Sequence, residues 1–224
     1  QLADVWTLDC RQYRDHQACP DPNRGGGRVV VGCDALADPA RSMLGMAQEQ
    51  WFTEGLTRST RRWKLVAQST QMSSSGVNTP LGRSAFTDGW DGYPQARARL
   101  LATVADAGLS NVVMLGGDVH MNVAAQLRVQ ANDERSPVVA SEIVTTSITS
   151  RGLGEKLLAQ IRDSNPDIVH ARSDERGYTL LDVRPEGISA EFRTTSNPAL
   201  AEGVFKAQAK LAIRSGLAGV HKEG

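Results

Sequence analysis

Val112-Val113-Met114-Leu115-Gly116-Gly117-Asp118-Val119-His120 reads as a buried strand that ends at two glycines and delivers an acid and an imidazole just past its carboxyl end. Four consecutive apolar residues suit a strand covered on both faces, and such strands belong to sheets flanked by other layers. The glycines permit a sharp turn. An Asp-x-His pair suits a hard or borderline metal ion that takes a carboxylate oxygen and an imidazole nitrogen together. In open α/β sheets this edge is where ligands bind. The same residues also fit a plain turn, with Asp118 accepting backbone hydrogen bonds and His120 a satisfied core histidine.

Upstream, Pro94 suits the first turn of a helix through Leu100, Leu101 and Val104, with Gly108 as its stop. Leu44 to Leu56 is also spaced as a helix, with Ala47, Trp51 and Gly55 on one face, Phe52 and Leu56 beside them, and Gln48, Glu49 and Glu54 polar. Arg58, Arg61 and Arg62 complement its carbonyl end. Trp63 to Ala67 and Val5 to Asp9 read as strands, whereas Gln68 to Tyr93 lacks periodicity and reads as one long loop, a length usually tied to function. The alternation predicts an α/β domain. Downstream come strands at Val123 to Val129 and Val138 to Thr145, a Ser/Thr run to Ser150 and a short helix at Leu153 to Ile161. A strand opens at His170. Tyr178 to Val183 and Ile188 to Thr194 form a hairpin with Ile188, Ala190 and Phe192 facing inward. Ala199 to about Arg214 is expected to be helical.

The chain has 224 residues, enough for one domain with a substantial core. Basic and acidic residues balance at 25 each, so no global field draws nucleic acid or anionic lipid. No apolar run approaches a membrane span, and no secretory signal opens the chain. Instead, Gln1 leads almost at once into what reads as an interior strand, which suggests the later part of a longer or processed protein. Of three cysteines, Cys19 and Cys33 flank a Pro/Gly/Asn-rich loop that a disulfide would stabilise by about 3 kcal/mol. That pairing implies export, while three free thiols would suit a cytosolic protein.

Other chemistries find little footing. There is no Gly-x-Ser-x-Gly elbow, and no short-spaced Cys/His pairs for a zinc finger. Gly25-Gly26-Gly27 lacks the Lys-Ser/Thr ending of a phosphate-binding P-loop. Cys10 is the one cysteine left as a nucleophile once Cys19 and Cys33 are paired. Of four histidines, His16, His170 and His221 have no supporting context.

Several motifs, in order, resemble the PhoD-like alkaline phosphatase and phosphodiesterase family. They are Leu8-Asp9-Cys10-Arg11-Gln12-Tyr13-Arg14, Met43 to Trp51, Trp63 to Val66, Asp88-Gly89-Trp90-Asp91-Gly92-Tyr93-Pro94, Asn111 to His120, Arg176-Gly177-Tyr178 and Leu181-Asp182-Val183. The resemblance runs from about Val5 to Thr194.

It implies the calcineurin-like metallophosphoesterase fold, an α/β (α+β) four-layer αββα sandwich of mixed sheets. Residues 1–195 would be the C-terminal portion of the catalytic domain and residues 196–224 a C-terminal helical tail. It further implies hydrolysis of phosphate monoesters and diesters, calcium and iron as cofactors, and a secreted or periplasmic location. Asp118 and His120 match the family's Gly-Asp-x-His metal motif and are the expected catalytic and metal residues. Asp91 and Tyr93 match a motif expected near the substrate. The family's earlier metal motifs have no counterpart here, so the chain is expected to supply only part of the site. It would be inactive without the upstream part of the same protein or a companion chain, and its first strand would lack sheet neighbours. The competing expectation is a non-catalytic α/β binding module or inactive fragment.

Overall fold

A computed structural model describes residues 2–200 and 203–223. In chain order the strands and helices are β1 (Ala3–Thr7), β2 (Val29–Val31), α1 (Met46–Arg58), β3 (Trp63–Ala67), β4 (Asn78–Thr79), β5 (Gly82–Phe86), α2 (Pro94–Asp106), β6 (Val112–Gly116), β7 (Asn122–Arg128), β8 (Val138–Val144), α3 (Glu155–Ser164), β9 (Ile168–Arg172), β10 (Arg176–Val183), β11 (Gly187–Thr195), β12 (Lys206–Arg214) and β13 (His221–Lys222).

The central sheet has the order β1-β3-β6-β8-β7-β9. Its first four strands are parallel, and β7 runs antiparallel to both β8 and β9. On one face α1 and α2 bury Phe52, Leu56, Leu100, Leu101 and Val104 against Trp6, Val66, Val112 and Met114. The opposite face meets a second, antiparallel sheet, β10-β11-β12-β13, through Trp63, Val113, Ala124 and Ile143 on one side and Ile188, Ala190, Phe192, Leu211 and Ile213 on the other. Helix α3 covers Val123, Ala125 and Val144. The described residues thus build helices, sheet and sheet, three layers of the expected sandwich. Tyr178 and Leu180 on the hairpin remain exposed.

The inward alternation of Ile188, Ala190 and Phe192 holds, because a period of two sends each onto the sheet opposite. The same period corrects the expected C-terminal helix. Lys206–Arg214 is a strand whose Leu211 and Ile213 face the core in register with Ala190 and Ile188. Its apolar residues sit two apart, and an unpaired edge of β11 was available to receive them.

The expected long loop also contains structure: Gly82, at φ 119°, turns β4 into β5, and β5 pairs with β2. In α1 the faces are shifted from expectation. Trp51 is 55% exposed, while Glu49 is buried with its carboxylate on Arg99 at 2.8 Å and on the Ser42 hydroxyl at 2.8 Å. An acid fully paired by an arginine and a hydroxyl can be buried where spacing alone says polar and outward. His170 lies within β9, stacked on Phe192 at 5.5 Å. Strand β1 does have a neighbour: it pairs with β3 along its whole length and forms one edge of the sheet.

Candidate functional site

The carboxyl ends of β1, β3 and β6 converge on one edge, and the Asp118–His120 segment sits there. Gly116 closes β6 where a Cβ would lie 2.2 Å from the Thr70 carbonyl oxygen, so the neighbouring loop approaches too closely for any side chain. Asp118 and His120 both adopt left-handed backbone, at φ 69° and 56°. Such conformations cost on the order of 1 kcal/mol or more each for residues other than glycine, and they concentrate at functional sites. The Val119 N–H donates to the Gly117 carbonyl at 2.8 Å, completing a tight turn that brings the acid and the imidazole out beyond the sheet.

His120 is held from behind. Its Nδ1 lies 2.9 Å from the Arg151 carbonyl oxygen, which can only accept, so Nδ1 carries a proton and Nε2 is the nitrogen left for another partner. A backbone carbonyl on the remote ring nitrogen is how metal-ligating histidines are oriented. The Arg151 loop is itself pinned by the buried Arg176 guanidinium, which donates to the Ser150 carbonyl at 2.5 Å, the Ser147 hydroxyl at 2.9 Å and the His120 carbonyl at 3.3 Å. Gly152 allows this approach, since a Cβ there would meet the Ser173 and His120 carbonyl oxygens at 2.3 and 2.8 Å.

Arginines from the start of the chain face this pair. The Asp9 carboxylate accepts the backbone N–H groups of Gln12 and Arg11 at 2.9 and 2.8 Å, and these bonds hold its pKa below the usual carboxylate value. The Gln48 side chain clamps the Asp9 backbone on both sides. This turn directs Arg11 over the site. One end of its guanidinium donates to Asp88 at 2.7 Å, and the other lies 3.5 Å from Asp118. Arg14 donates twice to Asp88, to the carboxylate and to the backbone carbonyl, each at 2.8 Å, and Gln17 adds a third side-chain donor at 2.8 Å. Burial pushes the Asp88 pKa up, but the Arg11 and Gln17 hydrogen bonds and the two guanidinium charges outweigh it and leave the carboxyl below its ordinary value.

Within the Asp88–Pro94 motif, Asp88 is therefore the residue linked to the site. Asp91 is engaged elsewhere, by the Ser74 hydroxyl, the Ser75 N–H and hydroxyl, and Arg97. Tyr93 is buried with its hydroxyl on the Asp15 carbonyl and Arg41 over its ring. Both fix the loop that carries Asp88. In the sequence Arg11, Arg14 and Asp88 appeared only as members of two separate motifs, with no role assigned; the signal that could have found them is that the two motifs carry opposite charges, arginines in one and an acid opening the other.

Cys19 and Cys33 form a disulfide, and Cys10 is free and buried. Beside the site an apolar cavity of about 310 Å³ is walled by Val29, Phe86, Val119, Met121, Leu153 and Leu157. Among the described residues no three His, Cys, Asp or Glu side chains converge as a complete metal cage. Asp118 and His120 nonetheless fit metal ligation in donor type and in His120 tautomer, as two members of a larger set. No described helix is long and apolar enough to cross a membrane.

Comparison with known proteins agrees with this geometry. The family profile for PhoD-like phosphatase matches residues 1–192. Alkaline phosphatase D of Bacillus subtilis (strain 168) is 37% identical over 195 residues, covering 86% of this chain and 32% of that protein. A solved structure, described as the structure of PhoD, superposes over 100% of this chain and 42% of its own at a TM-score of 0.87 and 31% identity. The chain thus spans about a third to two fifths of the length of these relatives. With the profile covering the strand edge, both arginines, Asp88, Asp118 and His120, the chain belongs to the PhoD-like phosphatase family.

Proposed function

We propose that this chain supplies part of the active site of a metal-dependent phosphoric ester hydrolase of the alkaline phosphatase D type, acting on phosphate monoesters and diesters. The observation that carries the reading is the presentation of Asp118 and His120 on left-handed backbone beyond β6, with Nδ1 of His120 committed to Arg151 and Nε2 free. Calcium and iron are the metals the family resemblance points to. When bound, metals supply polarisation of the phosphoryl oxygens and activation of water near neutral pH. Asp118 and His120 would hold them by oxygen and nitrogen, and the Arg151 carbonyl fixes the orientation of the imidazole.

Two ligands do not complete such a centre, so the remaining ones come from an upstream part of the same protein or a companion chain, and this chain by itself is inactive. The open edge at β1, where Val5 is 64% exposed, is consistent with such a complement. The Cys19–Cys33 disulfide supports an exported, secreted or periplasmic location.

The test is hydrolysis of p-nitrophenyl phosphate and bis(p-nitrophenyl) phosphate by the completed, metal-loaded protein. Asp118→Ala and His120→Ala are each expected to abolish turnover while the melting temperature stays within a few degrees, since both side chains project from the core. Turnover retained in either variant defeats the proposal.

A further inference from the structure

We propose that Arg11 is the residue of this site that binds the phosphoryl oxygens, and that Asp88, clamped by Arg14 and Gln17, is the group that positions it. The inference rests on the phosphoesterase reading above and assigns the substrate-facing cation of that site.

Arg11 and Arg176 reach the Asp118–His120 loop by their guanidinium groups and Arg14 braces Asp88 beside it, and the three differ in kind. Arg176 is 6% exposed, and its donors are spent on loop carbonyls and a hydroxyl. The Arg14 side chain is 12% exposed and gives both terminal nitrogens to Asp88. These two arginines hold the fold together. The Arg11 side chain is 42% exposed, and one nitrogen makes a short contact, to Asp88 at 2.7 Å. A guanidinium has five N–H donors. The second nitrogen reaches Asp118 only at 3.5 Å, the outer limit of a hydrogen bond. Arg11 is thus anchored at one end and carries spare donors at the other, beside a carboxylate expected to hold a cation.

The charge balance points the same way. Asp88 faces two guanidinium groups, leaving one positive charge uncompensated at this end of the site. Asp118 offsets that charge here. A cation held by Asp118 would be the stronger partner of the carboxylate and would leave the outer edge of Arg11 to a different anion. Planar guanidinium groups bind phosphoryl oxygens with charge-assisted, often paired hydrogen bonds. The clamp on Asp88 has a clear role in this arrangement. Its three side-chain donors and its bonded backbone carbonyl fix the carboxylate, so Arg11 is already oriented when substrate arrives.

The experiment uses the full-length, metal-loaded protein and inorganic phosphate as the probe, with phosphate binding followed by calorimetry and as competitive inhibition. Metal content and melting temperature are measured on the same samples. Arg11→Ala is expected to weaken phosphate binding by about ten- to a hundredfold and to lower kcat/KM at least as much, at unchanged metal content. Arg11→Lys is expected to recover only part of the loss, because a point charge cannot reproduce the fork. Arg58→Ala, at the exposed C-terminal end of α1, is the silent control. Phosphate affinity within twofold of wild type at full metal content overturns the inference. So does a loss that tracks missing metal, which would make Arg11 a partner of Asp118 alone. If the wild-type protein neither hydrolyses phosphoesters nor binds phosphate, it is the underlying functional reading that has failed.

Discussion

Removing the Cys19–Cys33 disulfide by the double substitution Cys19→Ala/Cys33→Ala should lower stability through the unfolded chain rather than through the site. The two cysteines are 14 residues apart, and closing a ring of that size restricts the unfolded ensemble by about 3 kcal/mol. For a domain of this length, about 3 kcal/mol corresponds to roughly 6 to 12 °C in melting temperature. The native segment has other anchors at both ends of the ring. Gln17 holds Asp88 on one side, and on the other Val29–Val31 pairs with Ser84–Phe86 while the Thr87 N–H donates to the Arg28 carbonyl. The folded loop should therefore keep its place once the bridge is gone. Thermal denaturation of wild type, reduced wild type and the double variant is the assay, with Cys10 as the one remaining thiol in the variant. The expected result is a matched fall in both reduced forms, with the transition still cooperative and phosphate affinity of the completed protein unchanged. A fall below about 1 °C would refute the entropic argument, and a loss of phosphate affinity would refute the claim that the loop is independently anchored.

Phe192→Ala should destabilise by about 3 to 5 kcal/mol in urea unfolding, because its ring is fully buried between the two sheets against His170; a change under about 1 kcal/mol would mean the sheets close over the gap. Asp88→Asn keeps one acceptor but loses the charge that pairs Arg11 and Arg14, at an expected cost of about 2 to 3 kcal/mol at neutral pH. Because the folded pKa of Asp88 lies below the ordinary carboxylate value, this stabilisation is complete above the unfolded value and is lost as pH falls through the lower folded one. Urea midpoints of wild type and variant should stay parallel from about pH 7 to pH 5 and converge only in stronger acid. Convergence between pH 7 and 5 would assign the effect to another group.

The sequence by itself determined the strand that ends at Gly116-Gly117, the Asp118 and His120 pair beyond it, the helices that start at Pro94 and near Leu44, and the inward row Ile188, Ala190 and Phe192. All are local: a run of apolar residues, a proline or glycine at a boundary, or a fixed period specifies each without reference to a distant partner. What only the tertiary structure decided depended on pairing across the chain. Lys206–Arg214 is a strand because β11 offers it an edge, and Glu49 is buried because Arg99, fifty residues away, meets it. The site divides in the same way. Asp118 and His120 announce themselves in sequence because the Gly-Asp-x-His stretch is contiguous. The Arg11–Asp88 pair and the Arg151 carbonyl do not, because they come from three loops that only the sheet brings to one edge.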